Sequence, residues 1–301
     1  MAALDWLTNW DDLVHGTVMF SVAVPFAVCL VILWKLPPGL WWLGIIGAVS
    51  GPFLWLFGFP RFPPATSEDV VFTGLVVSGL VASTLVIGGQ AKVGGKIVAV
   101  SAGLLFGLLT WCVYPAWLAE EGGLVRKLSV VTGVSATMVI FVAIAEIASC
   151  KPTEESNRFR LPLAAWVPPL IGLAVLLQLG GAARLGQAAG ALATALATAC
   201  LVIIVRNQRV APIGIPALCG TMFALLGWSG WLFADVRYGL ALVLCLGPVA
   251  AVLGHFIPLP RRNEERFVQL WCGLFSAVIT GAVVALAVSD YLAEMKEFEG
   301  Y

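Results

Sequence analysis

Residues Gly186–Val205 read Gly-Gln-Ala-Ala-Gly-Ala-Leu-Ala-Thr-Ala-Leu-Ala-Thr-Ala-Cys-Leu-Val-Ile-Ile-Val, with no charged side chain. At about 1.5 Å of rise per residue, a helix of this length reaches about 30 Å, the thickness of a bilayer's hydrocarbon core. Arg184 and Arg206 bracket the run. The segment therefore predicts a helix that spans a membrane. Gly186, Gly190, Thr194 and Thr198 recur four residues apart within it. Such a stripe of small side chains lets another helix approach closely.

Working outward, nine further apolar runs pass the same test: His15–Trp34, Leu40–Phe59, Val70–Gly88, Ile97–Trp117, Leu128–Cys150, Leu161–Leu179, Pro212–Phe233, Tyr238–Ile257 and Phe267–Tyr291. Glycine, proline and charge punctuate the short breaks between them, as in Lys35-Leu36-Pro37-Pro38-Gly39 and Pro258-Leu259-Pro260. The expected fold is all-α: a polytopic integral membrane helix bundle of about ten transmembrane helices. Residues 1–301 form one transmembrane domain, with no soluble domain. Composition agrees. Apolar residues make up 60% and charged residues 11%, against roughly 25% charged in a soluble domain. Mean hydropathy is +0.97.

Lys plus Arg and Asp plus Glu balance at 17 each. No basic patch could neutralise a row of phosphates, so nucleic acid is excluded as a partner. Seven cysteines, an odd number without a CxxC, argue against a disulfide framework and read as small packing residues. The first sixteen residues carry Asp5, Asp11 and Asp12 but no base. A secretory leader needs a basic start, so the first run is expected to be retained as a span. Leu4, Leu7, Trp10 and Val14 recur at helical steps ahead of it, which suggests an amphipathic helix on the membrane surface.

Odd-numbered connections hold eleven Lys and Arg; even-numbered connections and the C-terminal tail hold six. Bases favour the cytoplasmic side. The expected location is the cell (inner) membrane, multi-pass, with both termini non-cytoplasmic. Trp34, Trp41, Trp42, Trp111, Trp117, Trp166, Trp231 and Trp271 fall near predicted helix ends, the depth that indoles prefer.

Two spans carry a Gly-Pro break: Gly51-Pro52 beside Ser50, and Gly247-Pro248. Pro25 lies inside the first run. Proline frees the carbonyl four residues back and kinks a helix. In transporters, broken helices present such groups to a substrate at midplane. Both Gly-Pro breaks count to a similar depth, so kinked helices facing one interior are expected. Glu146, near one end of the fifth span, and Gln178, the amide of the sixth, complete the candidate substrate-binding set. No acid or base sits at the centre of a span, which argues against a proton pump. Gly88-Gly89-Gln90-Ala91-Lys92-Val93-Gly94 and Gly180-Gly181-Ala182-Ala183-Arg184-Leu185-Gly186 align as a weak internal repeat. It relates the third and fourth spans to the sixth and seventh, in inverted orientation.

Catalytic and metal chemistry find little support. His15 and His255 count to opposite faces, so they cannot ligate one haem. No cluster of His, Cys and acids offers a zinc ligand set. Gly227-Trp228-Ser229-Gly230 resembles, over four residues, the nucleophile motif of rhomboid-type intramembrane proteases. That resemblance implies Ser229 as nucleophile and a histidine at its depth. His255 lies about 27 Å down the next span at 1.5 Å per residue, and His15 belongs to no matching motif. Ser229 is read as a packing residue. No DxxD, phosphate loop or HExxH occurs. No catalytic residue, metal or cofactor is expected.

Ten spans in about 300 residues is similar, in span count, to the drug/metabolite permeases. Those proteins keep both termini cytoplasmic, opposite to the charge count here. Two function classes fit. One is a small-molecule permease. The other is a non-catalytic structural or accessory subunit of a membrane protein assembly. The expected partners are the lipid bilayer and either a small-molecule substrate or other membrane subunits.

Overall fold

A computed structural model describes residues 18–37, 40–61, 64, 66–88, 92–113, 116–149, 163–206, 215–234, 236–247, 249 and 264–299. Among the described residues every regular element is helical. A π-helical turn, Met19–Ala23, leads into α1 (Val24–Lys35). There follow α2 (Trp41–Phe57), α3 (Ser67–Gly88), α4 (Lys92–Val113) and α5 (Ala116–Ser149). A 3-10 turn, Leu163–Trp166, precedes α6 (Val167–Leu179). Then come α7 (Ala183–Val205), α8 (Ile215–Phe233), α9 (Tyr238–Leu244) and α10 (Glu264–Glu299).

Gly123–Ala143, Ala183–Val205 and Gly273–Met295 are long and apolar enough to cross a membrane. Shorter apolar helices cover Met19–Lys35, Trp41–Leu54, Ala99–Cys112, Leu163–Leu179 and Leu218–Phe233. The N-terminal segment with Leu4, Leu7, Trp10 and Val14 lies outside the described residues, as do His15, His255 and Pro248.

The opening segment becomes the centre of the bundle. In α7, 61% of the apolar window is buried, against 22% in α10 and 28% in α5. Helices α1, α2 and α6 pack around α7, and its small residues explain how. A Cβ on Gly186 would lie 2.6 Å from Cγ of Gln178 and 2.8 Å from the Ala174 carbonyl, both on α6. One on Gly190 would lie 2.8 Å from Cβ of Ser21. The stripe thus serves packing within this chain.

Helix α1 runs parallel to α7. Ser21 Oγ donates to the Gln187 carbonyl at 3.2 Å, Cys29 Sγ to Ala195 at 3.4 Å, and Arg206 to the Trp34 carbonyl at 3.5 Å. Pro25 explains one further bond. Its ring nitrogen cannot reach back to the Ser21 carbonyl, and Thr194 Oγ1 donates to that oxygen at 2.7 Å. In apolar surroundings a freed carbonyl needs such a partner.

Sequence neighbours run antiparallel. Gly103 and Gly107 of α4 receive Ser135 of α5. Between α6 and α7 the chain reverses in a Schellman turn: Ala182 N–H donates to Leu177 and Gly181 N–H to Gln178, with Gly181 at φ +81°. Helix α3 opens with a capping box. Asp69 N–H donates to Thr66 Oγ1, and Thr66 N–H to Asp69 Oδ2.

Charge and helix ends part company. Helix α5 is kinked at Gly123, whose φ of 58° is non-helical, so the helix that carries Leu128 starts directly after it, within a turn of the expected start. Helix α10 runs past both ends of Phe267–Tyr291. Trp41 opens α2 and Trp166 closes the 3-10 turn before α6, both at helix ends, and both are wholly buried within the chain. Trp41 Nε1 donates to the Leu36 carbonyl at 3.1 Å. Trp166 joins Phe141 and Phe223 in an aromatic cluster, with ring centroids 5.9 to 6.4 Å apart.

Candidate functional site

The two Gly-Pro breaks differ. Helix α2 continues without interruption through Pro52. Pro52 is buried, Ser50 half-buried, and Gly51 exposed with nothing within 4 Å of where its Cβ would stand. Gly47, one turn earlier, faces Ile32 of α1 at 4.0 Å. So the glycine of this pair points out of the bundle and the proline into it. On α9 the helix gives way to a turn at Cys245, three residues before Pro248. Gly247 is buried, and a Cβ there would lie 2.5 Å from Ser276 Oγ and 2.9 Å from Pro169 Cγ. Ser276 Oγ in turn donates to the Ala165 carbonyl at 2.9 Å. The space beside Gly247 is therefore filled by α10 and α6.

These breaks sit in different parts of the bundle. Helix α2 packs on α1, α3 and α7, whereas α9 packs on α10 and α6. The other candidates are likewise dispersed. Gln178 is exposed at the end of α6, with its Cγ beneath Gly186. Glu146 lies on α5, and its side chain falls outside the described residues. Of the repeated segments, 89–91 lie outside the described residues, so the alignment with the Gly180–Gly186 turn has no structural counterpart to compare.

Ser229 is buried on α8. Its neighbours pack: a Cβ on Gly230 would lie 2.6 Å from Leu177 Cδ2, and Trp228 lies 3.1 Å from the Cβ position of Gly133. Among the described residues no group of three His, Cys, Asp or Glu could hold a metal.

Sequence reasoning missed a cleft between α5 and α8. Its volume is about 360 Å³, and Arg126, Ser129, Val130, Trp228 and Trp231 line it. The two indoles stand edge to face, with centroids 5.4 Å apart. Gly133 makes room for Trp228 against α5. Nearby, Lys127 Nζ lies 4.1 Å above the Trp111 ring, a cation–π contact. The signal available in the sequence was Arg126-Lys127 at the head of one span and Trp228…Trp231 one turn apart near the foot of another.

Charged contacts gather at that end of the bundle. Arg184 pairs with Glu68 at 3.2 Å, and Arg237 with Asp290 and Glu294. These join the second and sixth connections, and the eighth connection with the C-terminal part of α10. Arg206 and Trp34 meet at the opposite end. Comparison with protein-family models, with curated proteins and with solved structures returned no match to this chain.

Proposed function

We propose that the chain is a multi-pass membrane protein of about ten spans that works as a non-catalytic structural or accessory subunit of a membrane assembly. The filled space beside Gly247 carries this reading. A permease built on the two Gly-Pro breaks would open backbone groups to a shared cavity. Gly247 instead meets Ser276 and Pro169, and Gly51 points outward from another part of the bundle. The apolar outer faces of α5 and α10 support the membrane setting. Val125 is 76% exposed and Val278 66%, which suits lipid and not water.

Extraction from native membranes in mild detergent tests the proposal. The chain should migrate with partner subunits at fixed stoichiometry. A monodisperse single chain that catalyses solute uptake in proteoliposomes would establish the permease reading instead.

A further inference from the structure

We draw no further inference here: the strongest candidate, the exposed face of α10 on which Ala277, Gly281, Ala285 and Ser289 recur at four-residue spacing, is a stripe of small residues on an apolar surface, and nothing in the structure shows what covers it.

Discussion

Two glycines with the same following residue have opposite roles. Gly247 is a contact residue: a methyl group there would meet Ser276 and Pro169 at 2.5 and 2.9 Å. Overpacking a filled site costs about 1–3 kcal/mol. Gly51 faces open space within a continuous helix, where the gain of about 0.5–1 kcal/mol for Ala over Gly is opposed by the clash of its Cβ with the Pro52 ring that follows. Gly247→Ala should therefore lower the thermal midpoint in detergent by more than Gly51→Ala does. Equal effects would mean that the two breaks are equivalent. Thr194 gives a second case. Its hydroxyl satisfies the carbonyl that Pro25 leaves at Ser21, and stranding a buried acceptor costs about 1–3 kcal/mol. Thr194→Val should lose that much stability in a denaturation series, and Thr194→Ser should keep it. A valine variant as stable as the parent would show that the carbonyl has another partner. The sequence made Pro25 visible as a break and Thr194 visible as one of four small residues. It could not join them, because their pairing spans more than 160 positions and depends on which helix lies beside which.

Apolar runs were legible as elements; their ends were not. Hydropathy reads where a helix leaves an apolar environment, whereas backbone hydrogen bonding continues wherever φ and ψ permit. After its kink at Gly123, α5 therefore carries Arg126 and Lys127 in its first turn, and α10 carries Glu264 and Glu265. A local signal did mark one start. Thr66 three residues before Asp69 is a capping-box spacing, and α3 begins there. The parallel pairing of α1 and α7 was beyond local signals altogether. It follows from two complementary surfaces, Ser21 against Gly190 and Cys29 against Ala195. Cysteines placed at Ser21 and Gly190 should cross-link on mild oxidation once the two helices part by about 1 Å, because the 2.8 Å between their Cβ positions is a little less than the roughly 3.5–4.5 Å that a disulfide spans. Cysteines at Ser21 and Val205 should not, since fifteen residues of α7 span about 22 Å. Cross-linking of the second pair would reverse the direction assigned to α1.

At the scale of the molecule, the ion pairs constrain topology independently of hydropathy. Glu68 with Arg184, and Arg237 with Asp290 and Glu294, tie together connections two, six and eight and the C-terminal turns of α10. These contacts require that helices separated by an even number of turns return to the same end. Alternating spans produce that arrangement; a re-entrant loop or a missing span between them would send one partner to the far end. Arg206 beside Trp34 places the first and seventh connections together at the opposite end. The sign of each end then follows from charge. The odd-connection end holds eleven bases and the other six, and five of those six lie in even connections where the described ones, Arg61, Arg126, Lys127, Arg184 and Arg237, stand beside acids or indoles. Asp69 accepts from the Arg61 N–H at 2.9 Å, and Glu68, Asp290 and Glu294 accept from Arg184 and Arg237. Because bases near span ends are retained on the cytoplasmic side, we propose that the richer odd end faces inward and the C-terminus outward. Alkaline phosphatase fused after Tyr301 should be active, since it folds only outside the cytoplasm, and a fusion after Arg206 should be inactive. The reverse pair of results would invert the bundle while leaving every helix contact intact. Activity at both positions would break the alternation itself, and with it the assignment of the Arg126 cleft to the same end as Arg237.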